Sequence, residues 1–337
     1  MIRAAIVVLG AALVAVASAP PAAAADQIFP PPSSQPRFYT VADPPAFRYE
    51  IGARYWYGWG KTAKDLYDPA GSFMVSRLTY NGLRSHAGEG YARVDHTYGW
   101  FLKGYVGAGT IGRGNLRDED FPTVIDPYSS TISEQNEGAL VYGNVDLGFS
   151  VVKGAGWRLG AFVGYHYLQE KVSAFGCSQN GVNPWVCVPD IPAQYAVINQ
   201  NNTWHALRVG LEGDVKLSDR LKLNMEAAWL PYAMLDGADT HWLRIGSLPG
   251  DFTGPVPEDG KGWGYQLEAV LSYQLTSNLS LGIGGRYWHL ETSGDTHFEN
   301  HLVGFTAFPQ PVKWKSDHYG LFLQGSFKFG PYPGGLN

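Results

Sequence analysis

Apolar and polar residues alternate with a period of two along much of the chain, most regularly between residues 263 and 329. This period places successive side chains on opposite faces, so it predicts β-strands with one apolar face. Aromatic residues stand mainly at the ends of the apolar faces and Leu or Ala in the middle, which is typical of strands that cross a bilayer between two aromatic girdles. The pattern predicts about ten strands, at 47–59, 73–95 (with an interruption near 88–90), 100–112, 139–151, 157–167, 207–217, 221–229, 263–275, 279–284 and 319–329.

The connections between these segments alternate in length. Short connections fall at 96–99, 154–156, 218–219 and 276–278, and long ones at 61–72, 113–136, 177–201, 241–261 and 294–314. Outer-membrane barrels have short periplasmic turns and long extracellular loops. We therefore expect an all-β fold, a closed antiparallel transmembrane β-barrel.

Charged residues of both signs occupy the face opposite the apolar one. About ten strands enclose little free space, whereas open porins use roughly 16–18 strands. We therefore expect ion pairs across a narrow lumen and no bulk diffusion, while a small-solute channel is an alternative that requires a continuous polar lumen. The inward charged set is Arg48, Glu50, Arg54, Asp146, Arg158, Arg208, Glu212, Asp214, Lys216, Glu226, Glu268 and Arg286.

The first residues predict export. Arg3 precedes an apolar run at 4–17, and Ala23–Ala25 form a small-residue cleavage site, so 1–25 are predicted to be a signal peptide. A proline-rich periplasmic linker follows at 26–46, then the barrel at 47–329 and a short tail at 330–337. No later stretch reaches the roughly 18 apolar residues of a spanning helix. The chain is therefore expected in the outer membrane, in contact with its lipid.

Composition changes this picture little. Charged residues make up 16% and aromatic residues 14% of the 337 residues, with 42 glycines, as fits a barrel with a lipid-facing wall. The formal net charge of −5 argues against a nucleic-acid partner. Cys177 and Cys187 lie in a predicted exported loop and are expected to form a disulfide worth about 3 kcal/mol. A metal site is the less favoured alternative, because no His or third Cys lies nearby.

Two acidic pairings follow predicted strands at the extracellular end. In extended backbone, residues two apart face the same side, so Asp118 with Asp120, and Asp239 with His241, each present two groups together. Such pairs facing each other could hold and activate a water, with the imidazole as general base. The alternative is that these are solvated turns. Strict alternation from Trp229 would turn Asp239 and His241 outward, unless a bulge near Pro231 or Gly237 reverses the direction.

The segment 112–121 resembles the Gly-Asn-x-x-Asp-x-Asp-aromatic motif of the omptins, and 142–147 and 157–165 are also similar to that family. Asp239-Thr240-His241 resembles its Asp-x-His. The resemblance implies a ten-stranded outer-membrane protease in which a water attacks directly, without an acyl-enzyme. It gives Asp118 and Asp120 the role of the paired aspartates, and Asp239 and His241 that of the dyad.

The implied substrate is a peptide or protein at the cell surface. No cofactor is expected, with lipopolysaccharide as the alternative, since the family's lipid A-binding Tyr-x-Glu-x-Arg corresponds here to residues 165–169, which lack both charged members. The alternative function is a non-catalytic surface barrel, for adhesion or envelope integrity, on the same scaffold.

Overall fold

The computed structural model describes residues 47–121, 127–246, 251–298 and 309–330, which form a ring of antiparallel strands. The strands are β1 (Phe47–Tyr67), β2 (Met74–His96), β3 (Trp100–Asp120), β4 (Ser129–Gly154), β5 (Trp157–Gln179), β6 (Ile191–Lys216), β7 (Leu221–His241), β8 (Val256–Gln274), β9 (Leu279–Thr296) and β10 (Gln310–Phe329). Each strand pairs with its neighbour in sequence, and β1 pairs with β10 to close the ring. The predicted closed barrel of about ten strands is confirmed.

The predicted signal peptide and proline-rich linker lie outside the described residues, as does the predicted tail apart from Gly330. In the described part of the chain, no helix is long and apolar enough to cross a membrane.

Exposed apolar side chains form a band around the outside of the barrel, because period-two alternation sends every second residue outward. Aliphatic residues such as Ile51, Val145 and Leu323 fill the middle of the band. Aromatic residues flank it on both sides, as at the two interfaces of a membrane-spanning barrel. The exposed aromatic residues that flank the band include Phe47, Tyr49, Trp100, Phe149, Trp157, Tyr273, Phe327 and Phe329 on the side of the short turns, and Tyr55, Tyr165, Trp229, Tyr232, Trp263 and Tyr319 on the other side.

The strands continue beyond this band on the side of the long connections. They are 18–26 residues long, whereas crossing a bilayer takes about 9–11. The loops predicted at 61–72, 113–136, 177–201, 241–261 and 294–314 were therefore too long, because parts of each belong to strands. Above the membrane both faces carry polar residues, for example the exposed Lys61 and Arg117. The apolar–polar contrast that marks a strand is lost there.

The interruption predicted near Gly88 is also wrong, because β2 is continuous and Gly88 pairs with Tyr55 on β1 and Ala108 on β3. The irregularity lies further along the strand, where Gly82 has a φ of 65° and the register with β3 shifts between Asn81 and Arg84. A left-handed conformation inside a strand favours glycine and often marks a bulge.

Cys177 and Cys187 form the predicted disulfide, with Cα atoms 5.6 Å apart. It ties the end of β5 to the connection that leads into β6. The bond restrains one of the long extracellular connections.

The lower half of the lumen is filled by the predicted network of inward charges. Arg286 contacts Glu89 at 2.7 Å and Glu268 at 2.6 Å, and Arg54 contacts the same two carboxylates. Arg208 contacts Asp146 at 2.6 Å. Each buried charge thus has an opposite charge beside it, which offsets the cost of its burial. A polar cavity of about 420 Å³ remains among these groups near the periplasmic turns.

A layer of aromatic rings lies above the ionic network. Trp56 stacks on Trp288 with ring centroids 5.5 Å apart, and Trp288 also lies 5.3 Å from Tyr142 and 5.6 Å from His318. Trp56, Trp288 and Tyr142 are at most 1% exposed. This layer, here called the aromatic plug, joins β1, β4 and β9 across the lumen through ring contacts.

We expect no single-channel steps when the protein is inserted in planar bilayers, because we expect the buried rings of the aromatic plug to block the lumen. Trp56→Ala with Trp288→Ala should produce small steps, since removing two large side chains leaves a cavity. Trp229→Ala, which removes an outward-facing Trp, is the matched control and should stay silent. Regular conductance by the unchanged protein would contradict this reading and favour the small-solute channel.

Candidate active site

Asp239 and His241 reach the lumen because β7 contains a bulge. The four residues of β7 from Leu230 to Ala233 lie opposite only three residues of β8, and the register with β6 shifts nearby, between Leu207 and Val209. Before the bulge the even-numbered Leu230 faces inward, and Trp229 faces the membrane. After the extra residue Pro231 the odd-numbered Ala233 and Leu235 face inward. Asp239, in phase with these, is 2% exposed. A proline cannot donate to the strand ladder, so a bulge is a position where it is tolerated.

A second bulge turns the other acidic pair inward. On β3, Ile111 is buried, and Leu116, five residues later, is also buried, so the inward parity changes between them. The register agrees, because Ser85 pairs with Ile111 whereas Arg84 pairs with Arg113, two residues further on. Asp118 and Asp120 share the inward parity of Leu116. The inward direction of the Asp118–Asp120 pair and of the Asp239–His241 pair therefore depends on one extra residue in the strand that carries each pair.

The dyad residues contact each other directly. His241 Nε2 lies 3.0 Å from Asp239 Oδ2, and the imidazole ring packs edge-on against Phe252, with centroids 5.8 Å apart. This orientation leaves Nδ1 as the nitrogen on the far side of the ring from Asp239. An imidazole held in this way can exchange a proton through Nδ1.

Lys64 and Glu258 join the dyad, and the sequence analysis did not identify either. Lys64 Nζ donates to Asp239 Oδ2, the oxygen that also faces His241, and to Glu258 Oε1 at 2.5 Å. Gln200 Nε2 donates to Glu258 Oε2 at 3.0 Å. The sequence did contain an indication that Lys64 faces inward, because Lys64 continues the inward parity of Arg54 on β1. It was obscured by the prediction of a loop at 61–72.

Asp118 lies within electrostatic range of the dyad across the lumen. Burial, and next the negative charge of Asp120, raises the pKa of Asp118 to about 7, while positive charge on His241 opposes the rise. Burial lowers the pKa of His241, but the carboxylate of Asp239 outweighs it, so the pKa of His241 is raised overall. These groups lie above the aromatic girdles, outside the membrane. Near neutral pH the site can therefore hold a mobile proton.

The raised pKa of Asp118 predicts a pH-dependent effect on stability. Its ordinary value is 3.8 and its folded value about 7, so ionisation is unfavourable in the folded state, and the penalty grows from about pH 4 to about pH 7. Asp118→Asn should therefore stabilise the protein at about pH 8 by roughly 1–2 kcal/mol after solvent screening, with little change at about pH 4.

Thermal unfolding of the refolded protein at both pH values measures this effect. Glu119→Gln, the adjacent residue on the outward face, is the matched control and should show no such difference. A stabilisation of Asp118→Asn that is equal at both pH values would mean that the ionisation of Asp118 is not its cause.

Chemically, the extracellular half of the lumen, here called the cleft, presents an imidazole with its carboxylate on β7 and two carboxyl groups on β3 that lie within electrostatic range of His241. All four predicted residues, Asp118, Asp120, Asp239 and His241, border this cleft. Among the described residues, no cluster of three or more His, Cys, Asp or Glu side chains could hold a metal ion. The arrangement is suited to positioning a water and exchanging a proton with it.

The closed ring of ten strands with two aromatic girdles defines an outer-membrane β-barrel, and comparison with solved structures agrees. The outer membrane protease OmpT from Escherichia coli superposes with a TM-score of 0.70 at 16% identity, covering 84% of this chain and 97% of that one. At this identity the likeness concerns the fold. The protein is accordingly an outer-membrane β-barrel, in contact with membrane lipid.

Other outer-membrane barrels resemble it less. The attachment invasion locus protein Ail of Yersinia pestis has a TM-score of 0.29 at 7% identity, covering 83% of this chain and 98% of that one. OprG from Pseudomonas aeruginosa has a TM-score of 0.32 at 10% identity, covering 85% and 96%. No protein-family model matches the chain, and no curated protein matches it by sequence.

Proposed function

We propose that this barrel is an omptin-like endopeptidase that cleaves peptides or proteins at the cell surface. The observation that carries the proposal is that the acidic pair on β3 and the His–Asp pair on β7 border one cleft, where His241 and Asp118 each affect the other's pKa. The omptin-like motifs around both pairs and the likeness of fold to OmpT support it.

The chemistry follows from the protonation states. Neutral His241 takes a proton from a water through Nδ1, and the water oxygen attacks the amide carbon. Near neutral pH Asp118 is protonated in a share of the molecules, because burial and the charge of Asp120 raise its pKa to about 7. One of the two aspartates accepts a hydrogen bond from the water and the other donates one to the substrate carbonyl oxygen. The proton on His241 then passes to the leaving nitrogen as the C–N bond breaks.

Refolded protein incubated with a peptide library, with and without lipopolysaccharide, tests the proposal. Cleavage products that disappear in a variant lacking the His241 imidazole would support it. A library left intact under both conditions would overturn it.

The non-catalytic surface barrel has one observation in its favour. Lys64 and His241 face the same oxygen of Asp239, so the carboxylate that would orient the imidazole is already neutralised by an ammonium group. A barrel that serves adhesion or envelope integrity could keep this network purely for stability. The same peptide library separates the two functions.

A further inference from the structure

An internal lysine occupies the acidic pocket beside the dyad. Lys64 extends from β1 across the lumen and is 5% exposed. Its ammonium group lies between the carboxylates of Asp239 on β7 and Glu258 on β8, with side-chain exposures of 2% and 1%. These contacts bridge residues 175 and 194 positions apart in sequence. The ammonium is thus the central group of the pocket.

The pocket has the features of a binding site for a primary ammonium ion. Two carboxylates supply the negative charge, and the ring of Trp314 lies 5.3 Å from Lys64 Nζ, within range of a cation–π contact. Gln200 holds Glu258 in place at 3.0 Å. Asp239 Oδ1 is buried and has no hydrogen-bond partner among the described residues, which leaves an acceptor free. A lysine side chain of a substrate would bind to these same groups if Lys64 did not already occupy them.

We infer that Lys64 excludes cationic side chains from this pocket, so that the site takes peptides with an uncharged residue next to the dyad. A second ammonium or guanidinium group within a few ångströms would be repelled by Lys64 in a partly dehydrated pocket. Displacing Lys64 would leave its own charge without a partner. The cleavage preference rests on the proposed function, whereas the exclusion of cations from the pocket does not.

The experiment empties the pocket and refills it. In Lys64→Ala the lost side chain leaves a space bounded by two carboxylates, and n-butylammonium has the size and charge to fill it. Butylammonium chloride should raise the unfolding temperature of Lys64→Ala by several degrees relative to the same concentration of sodium chloride. It should leave the unchanged protein and Lys61→Ala unaffected, since Lys61 faces outward on the same strand.

A second variant covers the case in which Lys64→Ala does not fold. Lys64→Ala with Glu258→Gln removes one positive and one negative charge, so the net charge of the pocket is preserved. We expect it to fold and to be stabilised by butylammonium more than the unchanged protein is. If neither variant responds to butylammonium, or if the unchanged protein responds equally, the inference is overturned.

Cleavage of a peptide library by the same proteins separates this inference from the proposed function. The unchanged protein should cut next to uncharged residues, and Lys64→Ala should gain cuts next to Lys or Arg. Stabilisation by butylammonium without cleavage by any variant would uphold the cation pocket and remove the endopeptidase. A preference of the unchanged protein for Lys or Arg next to the cleaved bond would overturn the exclusion.

Discussion

Replacing His241 by alanine is expected to lower the rate of peptide cleavage by about 100- to 10,000-fold, the usual contribution of a general base. The imidazole of His241 is the general base of the proposed mechanism, and its Nδ1 accepts a proton from water near neutral pH. Asp239, which contacts Nε2 at 3.0 Å, cannot replace the imidazole as the general base. Its carboxylate is buried and its Oδ2 is already bound by Lys64. The measurement is kcat on a peptide selected from the library, with refolded protein.

The matched control is His205→Ala. His205 lies on the outward face of β6, directly opposite Tyr167 on β5, so its loss removes an imidazole without altering the cleft. Heat-dependent migration in gels and circular dichroism should show that both variants form the barrel. Undiminished cleavage by His241→Ala would end the catalytic proposal and leave the non-catalytic surface barrel.

Replacing Lys64 by glutamine is expected to cost about 3–5 kcal/mol of unfolding free energy, as when one partner of a buried ion pair is removed. Asp239 and Glu258 would then lie close together, almost fully buried, without their cation. Lys64 stabilises both carboxylates, because its ammonium group contacts each of them. Urea unfolding of the refolded barrel measures the loss.

Glu258→Gln in the Lys64→Gln background should recover a large share of that loss, because it removes the carboxylate charge that Lys64 no longer balances, whereas Asp239 keeps its contact with His241. Lys61→Gln, an exposed position on the same strand, should change the free energy by less than about 0.5 kcal/mol. Equal costs for Lys61→Gln and Lys64→Gln would show that the buried network does not stabilise the barrel.

Strand number, barrel closure and the orientation of the inward charges could be predicted from the sequence, because they depend on a local period of two. Within the membrane the lipid requires apolar residues on every second position, as at Ile51 or Leu323, and the contrast is easily read. Above the membrane, water contacts the outer wall. The upper parts of β1, β3 and β7, which carry the candidate site, lose the contrast and were not predicted as strands.

The amino-acid order by itself determined that the chain forms a lipid-facing barrel, and it predicted Asp118, Asp120, Asp239 and His241 as the residues of a site. Only the tertiary structure decided that these residues face one cleft. Their direction depends on bulges in β3 and β7, and a bulge is defined by register with neighbouring strands. The tertiary structure also brought Lys64 to Asp239, because contacts across a closed lumen join residues 175 positions apart, a distance over which a local pattern carries no information.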